Sequence, residues 1–208
     1  MRLWFSPATL AVIGALITAG AAWWASHEQL SYERQLRAKA EEISALNKTI
    51  AATVTGGDSF CYLTLEATGR AAGTPLLMAV LQGAYPLYDA SARITALELF
   101  DELVVRPGIY TIEQISKTEK IIPLGNLNPK HAVLLGQWTL PVGAQSKRYN
   151  IFVTARNGST TEFLRLRRIN GAWKMAVKVT RDAPTDPATL YENVDDGYPR
   201  NAQGQVDW

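Results

Sequence analysis

The hydrophobic pattern begins with an uncharged run from Leu3 to Ala25, followed by a charged segment rich in helix-forming residues. Ala8 to Ala25 gives 18 consecutive residues without a charge. As a helix with a rise of about 1.5 Å per residue, this run is close in length to the hydrocarbon thickness of a bilayer. The pattern predicts a transmembrane anchor over residues 1–26. The alternative is a cleaved signal peptide, because Ala19-Gly20-Ala21 offers a small-residue cleavage site.

Residues 27–57 favour a helical stalk, which Gly56-Gly57 should end because glycine accepts the positive φ of a helix stop. Leu36, Ile43 and Ile50 repeat every seven residues, with Leu46 three after Ile43. These two to three imperfect heptads indicate either a short coiled coil that makes the chain a homo-oligomer, or a monomeric stalk.

Beyond residue 58 the pattern changes to the alternation of half-buried strands. Tyr149–Arg156, Thr161–Ile169 and Ala172–Val179 are joined by Asn157-Gly158 and Asn170-Gly171, which is the sequence of two-residue hairpin turns. These turns predict a three-stranded meander in which Ile169 faces Ala172, Leu166 faces Met175, Leu164 faces Val177, Ile151 faces Leu164 and Tyr149 faces Leu166. They also place one apolar set on a single face: Tyr149, Ile151, Val153, Leu164, Leu166, Trp173, Met175 and Val177.

Further strands are predicted upstream of the meander, and two segments are ambiguous between strand and helix, 98–105 and 111–119. The predicted upstream strands are Phe60–Ala67, Leu76–Gln82, Tyr88–Leu99, Lys120–Leu124 and Ala132–Leu140. Seven or so short strands with turns between them favour a mainly β fold, an immunoglobulin-like β-sandwich over residues 58–181.

The net charge of +2 conceals a basic stretch, because residues 144–181 contain nine Lys or Arg residues and the single acid Glu162. The meander register places a possible binding face opposite the apolar set: Arg165, Arg167, Lys174, Lys178, Phe152 and Phe163. Such a face suits an anionic polymer, lipid headgroups or single-stranded nucleic acid, and a purely solvated face is the alternative.

Residues 182–208 form an acidic extended tail with six acids against Arg200. Its composition gives it little means of folding alone. Tyr191, Tyr198 and Trp208 suggest that the tail docks on the domain, with its acids over the basic face. A free tail and a tail that engages a partner are the alternatives.

No residue pattern indicates catalysis, and we expect a non-enzymatic protein without cofactor or metal. The only nucleophile and base pair available is Cys61 with His131, and Cys61 lies on a predicted strand where it fits an inward small hydrophobe. As the only cysteine, Cys61 can form no intrachain disulfide.

Two motifs carry a resemblance, TGGDSFCY over residues 55–62 and GAYPLYD over residues 83–89. The chain resembles a group of uncharacterised bacterial single-pass membrane-anchored proteins that share these motifs. The resemblance implies a bacterial source and this architecture, but no activity. A possible ligand end formed by Asp58, Tyr85, Tyr88 and Asp89 is the functional interpretation of the motifs, and turn formation is the structural one.

The sequence therefore predicts an integral single-pass protein of the bacterial inner membrane whose domain is a binding module for a protein or an anionic polymer. The periplasm is favoured over the cytoplasm for the domain, and nucleic acid is not favoured as a partner. One alternative is an assembly component that oligomerises through its stalk. Another is a cytoplasm-facing module that binds polyanions through the basic face.

Overall fold

The computed structural model describes residues 7–66, 74–105, 111–182 and 187–208, with side chains from residue 11 onward. The chain divides into two compact units, Met1–Ala51 and Ala52–Trp208. The first contains most of helix α1, which runs from Pro7 to Thr55. The second contains the end of that helix and a mainly β domain.

Helix α1 ends where the sequence predicts, at Gly56-Gly57. Gly56 and Gly57 have φ values of +104° and +52°, and the Gly56 amide donates to the carbonyl oxygen of Ala52 at 2.8 Å. Glycine adopts this left-handed conformation at little cost, because it lacks the Cβ atom that would crowd the backbone. The segment predicted as a helical stalk is therefore the second half of one continuous helix.

No helix within the described residues combines the length and the hydropathy needed to cross a membrane. The transmembrane anchor predicted for residues 1–26 thus has no support from the structure. Residues 1–6 of that prediction lie outside the described residues.

The second unit contains nine strands and two short helices within the described residues. In chain order they are β1 Phe60–Glu66, β2 Leu76–Gln82, β3 Leu87–Ala96, α2 Leu97–Val104, α3 Ile112–Ser116, β4 Glu119–Leu127, β5 Ala132–Gln137, β6 Ser146–Ala155, β7 Gly158–Ile169, β8 Ala172–Arg181 and β9 Thr189–Val194. The two segments that were ambiguous in sequence each contain a helix, α2 in 98–105 and α3 in 111–119. Thr111 begins α3 with a capping box to Gln114, which satisfies amides that a helix start leaves free.

The strands form two antiparallel sheets. The three-stranded sheet has the order β1-β2-β5, and the six-stranded sheet has the order β4-β3-β6-β7-β8-β9. This confirms the mainly β prediction. Strand β4 lies at the edge of its sheet. Pro123, which has no amide to donate, is tolerated there because one side of an edge strand has no partner strand.

The register of the second hairpin was predicted correctly. Ile169 pairs with Ala172, Leu166 with Met175 and Leu164 with Val177. Asn170 and Gly171 have φ values of +51° and +82°, as a type I′ turn requires.

The register predicted for the first hairpin was wrong by two residues. Tyr149 pairs with Leu164, and Ile151 pairs with Glu162, because Ala155 pairs directly with Gly158. The positive φ of +117° falls on Gly158 at the strand start, so Arg156 and Asn157 make the turn. A shift of two residues keeps every side chain on its predicted face.

The core lies between the two sheets. Six of the eight residues predicted on the apolar face are at most 6% exposed, and Trp173 and Met175 pack against them half-buried. The opposing sheet contributes Cys61, Leu63, Leu77, Ala79 and Leu81. Full burial of each aliphatic side chain contributes about 1.5–3 kcal/mol, so this shared core accounts for the packing of the two sheets.

Candidate binding face

The structure places the six residues of the predicted basic face on the outer side of the six-stranded sheet, opposite the core. Their strands are adjacent, and the register pairs Phe163 with Lys178 and Arg167 with Lys174. We call this set the basic face: Arg165, Arg167, Lys174, Lys178, Phe152 and Phe163.

Arg165 differs from the expectation of an accessible cation, because it is only 3% exposed. Its Nη1 donates to the carbonyl oxygen of Tyr149 at 2.7 Å, and its Nη2 donates to Oδ1 of Asn150 at 3.0 Å. Burial, and then the charge of Arg148, lowers the pKa of Arg165 to about 10, so the guanidinium stays protonated at neutral pH. Arg165 therefore adds a positive charge to the face from beneath its surface.

The four cations of the basic face have no carboxylate within 4.0 Å among the described residues. Two cations on the adjoining strands are paired: Arg148 lies 2.6 Å from Asp101, and Arg93 lies 3.6 Å from Glu119. Three aromatic contacts surround the face. Arg93 lies 4.7 Å from the ring centre of Phe152, Arg165 lies 5.5 Å from that of Phe163, and Lys178 lies 5.6 Å from that of Trp208.

The predicted tail docks on this same sheet, and part of it is not simply extended. Residues 189–194 form β9, the edge strand of the six-stranded sheet beside β8. Glu192 pairs there with Lys178, and Val194 pairs with Ala176. On the inner side of β9, Tyr191 stacks on Tyr62 of β1 with ring centres 4.6 Å apart. The edge of the sheet is therefore built by a segment whose composition gave no strand signal.

After β9, residues 196–208 lie on the outer face of the sheet, and we call them the cover segment. Tyr198 is 9% exposed and Val206 is 6% exposed, and both pack on Ala176 together with Trp208. Burial raises the pKa of Tyr198, while the charge of Arg167 and a hydrogen bond with it act in the opposite direction. The expected ion pairing by the tail's acids is absent from the described residues, so the docking rests on aromatic and apolar contacts and on the hydrogen bond between Tyr198 and Arg167.

Glu162 is the most unusual side chain of the core, although in the sequence it is only an isolated acid within a basic stretch. It is 0% exposed, and its Oε2 accepts the Leu63 amide at 2.7 Å across the two sheets. Its Oε1 is buried without a hydrogen-bond partner among the described residues. Burial raises the pKa of Glu162 to about 8, partly offset by the Leu63 amide. Its inward position on β7 was readable from the alternation with Leu164 and Leu166.

Cys61 is fully buried, as expected for an inward small hydrophobe. Burial, and then the charge of Glu162, raises the pKa of its thiol to about 12. His131 is exposed beside β5, and its Nδ1 lies 2.9 Å from the carbonyl oxygen of Pro129. With Cys61 buried in the core and His131 exposed at the surface, the structure does not favour a Cys61–His131 dyad, and a thiol held protonated by burial is a poor nucleophile.

The residues of the possible ligand end lie around the turn between β6 and β7. Arg156 Nε donates to Asp89 Oδ2 at 2.7 Å, and the Arg156 guanidinium lies 5.4 Å from the ring centre of Tyr88. Asp89 has a φ of +53° at a bulge in β3, which is uncommon for a residue other than glycine. Asp58 is fully exposed and lies 3.6 Å from Arg181.

Asn157 connects the turn between β6 and β7 to the first motif segment, residues 55–62, and the sequence gave it only a turn role. Its Nδ2 donates to the carbonyl oxygens of Gly57 at 3.0 Å and of Ser59 at 2.6 Å. Ser59 Oγ in turn accepts the amide of Tyr85 at 3.0 Å. These contacts explain both motifs as structural elements at the end of α1, which leaves the basic face as the stronger candidate site.

Comparisons with protein-family models, curated proteins and solved structures found no match to this chain.

Proposed function

We propose that the domain is a non-enzymatic binding module that holds an anionic polymer on its basic face. The observation that carries this proposal is that four neighbouring cations of one sheet face lack a carboxylate partner among the described residues, whereas Arg93 and Arg148 on the adjoining strands are paired. Charges of one sign on one face attract a polyanion at long range and hold it at short range. Phe152 and Phe163 add apolar surface beside the charges.

The accessible contacts would come from Arg167, which is exposed, and from Lys174 and Lys178, which are half-exposed. Arg165 supplies charge without direct access. Attraction between exposed charges falls as salt rises, since the Debye length is about 8 Å at physiological ionic strength. Binding should therefore be strongly salt-dependent.

The test is a titration of fluorescently labelled polyphosphate with the full chain and with the Arg167→Glu, Lys174→Glu double variant. We expect the affinity to fall at least tenfold. Lys117→Glu serves as the control, because Lys117 is exposed and lies outside the basic face. An affinity that is equal in the double variant and the wild type would reject the proposal.

We also propose an immunoglobulin-like topology for the sandwich. The first seven strands have the orders β1-β2-β5 and β4-β3-β6-β7. Lettered A, B, C, C′, E, F and G, they read ABE and C′CFG, with C′ beside C as in variable-type domains. Strands β8 and β9 then extend the sheet beyond G.

Display of the domain at a bacterial inner membrane, which the resemblance of its two motifs implies, is part of the same proposal. It rests on the uncharged run Ala8 to Ala25. Alkaline phosphatase and a cytoplasm-only fluorescent reporter, each fused after Trp208, test it together with membrane fractionation. Phosphatase activity in the membrane fraction supports periplasmic display, whereas fluorescence without phosphatase activity places the domain in the cytoplasm.

A second candidate function is assembly through α1. The heptad positions Leu36, Ile43 and Ile50 are 57–70% exposed, and Leu46 is 55% exposed. An exposed apolar stripe with a seven-residue repeat is typical of a helix that pairs with a second copy. Replacement of Leu36, Ile43 and Ile50 by serine should leave the domain folded and convert an oligomer to a monomer in light scattering. A wild-type chain that is already monomeric would exclude this function.

A further inference from the structure

The cover segment lies across the middle of the basic face. Arg165 and Ala176 form one pair in the register of β7 and β8, between the pair Arg167–Lys174 and the pair Phe163–Lys178. Tyr198 and Val206 pack on Ala176. The outer pairs are four residues apart along each strand, about 13 Å at 3.3 Å per residue. The cover segment therefore separates cations that would otherwise form one row.

The contacts that hold the cover segment are few and mostly apolar. Tyr198, Val206 and Trp208 make the packing contacts with the sheet, Lys178 lies against the ring of Trp208, and Tyr198 shares a hydrogen bond with Arg167. A segment held by so few side chains belongs to the part of a fold that opens locally, without global unfolding.

The cover segment is also organised within itself. The side chain of Asn201 accepts the amides of Gln203 at 3.0 Å and Gln205 at 2.9 Å, and Arg200 donates to the carbonyl oxygen of Gly204 at 3.0 Å. These bonds close a compact turn that brings Val206 and Trp208 back to the sheet. Such a turn can leave the sheet as a unit, because its own hydrogen bonds do not depend on the strands.

Asp195 fixes the chain immediately before the cover segment. The amide of Asp195 donates to the carbonyl oxygen of Met175 at 2.9 Å, and its Oδ2 accepts the amide of Met175 at 2.8 Å. Strand β9, which precedes Asp195, is fixed by its ladder and by the Tyr191–Tyr62 stack. Residues beyond Asp195 can therefore detach while the six-stranded sheet stays complete.

We propose that the cover segment is an intramolecular competitor of the polyanion: it occupies the middle of the basic face in the free protein and must leave before a polymer can contact all four cations. This inference rests on the proposed function, because it concerns access to the same face. It gives the module a closed state and an open state, and the bound polymer favours the open one.

The test uses the full chain with the Val206→Ser, Trp208→Ala double variant, which removes packing contacts without changing charge. Val142→Ser is the control, because Val142 is fully exposed and lies in a loop. Hydrogen exchange of the amides in residues 196–208 reports detachment, and titration with labelled polyphosphate reports access. We expect faster exchange and an affinity at least tenfold higher, equivalent to about 1.4 kcal/mol.

If exchange is faster and the affinity is unchanged, the competitor role is wrong, while charge reversal at Arg167 and Lys174 still decides the binding face independently. If the amides of residues 196–208 stay protected from exchange in the double variant, Tyr198→Ala is measured as well, because it removes the other docking side chain. The affinity for polyphosphate must then rise only in a variant whose amides have lost this protection. A rise in affinity with protection intact would overturn the inference. Absence of polyphosphate binding in every variant would reject the proposed function and this inference with it.

Discussion

Glu162 provides a pH-dependent test of the core, through the conservative substitution Glu162→Gln. The carboxyl is fully buried between the sheets, and its pKa is raised by burial from an ordinary 4.5 to about 8. The folded state therefore keeps a proton that the unfolded state loses between these two values. The free energy of unfolding should decrease as pH rises across this window, because the folded state binds more protons.

The magnitude follows from the two pKa values. Each pH unit within the window changes the free energy of unfolding by about 1.36 kcal/mol, so the full interval corresponds to about 5 kcal/mol. Between pH 5 and pH 7 we expect a decrease of about 3 kcal/mol. Cys61, the titratable neighbour, has a pKa raised to about 12 and stays protonated throughout this range.

Urea unfolding followed by tryptophan fluorescence, at pH 5, 6, 7 and 8, measures the effect. The glutamine can still accept the Leu63 amide but cannot ionise, so its stability should match the wild type near pH 5 and exceed it by several kcal/mol at pH 8. Glu162→Leu is the complementary variant. It leaves the Leu63 amide without an acceptor and should be less stable by about 1–3 kcal/mol at pH 5. Equal pH slopes in the wild type and Glu162→Gln would refute the reasoning.

The remaining predictions concern the motif segments and the thiol. Asn157→Ala should lower the free energy of unfolding by about 1–3 kcal/mol, because two carbonyl oxygens just after α1 are deprived of their donor, and Asn157→Asp should lower it at least as much. Thermal unfolding measures both variants, and an unchanged midpoint would contradict the role of Asn157 in holding the first motif segment. Gly83→Ala should destabilise the domain far more than Gly143→Ala. A Cβ at Gly83 would lie 2.7 Å from Ser59 Cα, whereas Gly143 also has a positive φ but has open space around it. Equal effects in urea unfolding would show that backbone conformation alone, without the steric clash, decides the loss of stability. Cys61 should not react with a thiol reagent at pH 8 until the domain unfolds, and rapid reaction in the native state would contradict its burial.

The strand pattern was predictable where local rules and tertiary structure agree. Asn170-Gly171 sets its own hairpin register, because both residues take positive φ. Asn157 instead turns its side chain to the end of α1, and the register of its hairpin follows that long-range contact. The apolar face survived the error, because the shift was an even number of residues.

The candidate site was predictable only in part. Alternation placed the cations on one face, but it could not show that Arg165 is buried, or that Tyr198 and Val206 pack on its strand partner Ala176. The cover segment has no strand or helix period, so Tyr198 and Val206 gave no docking register. Glu162 was readable as inward from the alternation along β7, yet a lone carboxylate is ordinarily assigned to solvent.

The salt dependence of polyphosphate binding tests the central claim most directly. The full chain and its Arg167→Gln, Lys174→Gln variant are titrated at several salt concentrations, and the logarithm of affinity is plotted against the logarithm of salt. If the basic face holds the polymer, the double variant binds more weakly and its slope is shallower by about two, because each substitution removes one cation that neutralises a phosphate. Equal slopes and equal affinities would contradict the assignment of the polymer to this face.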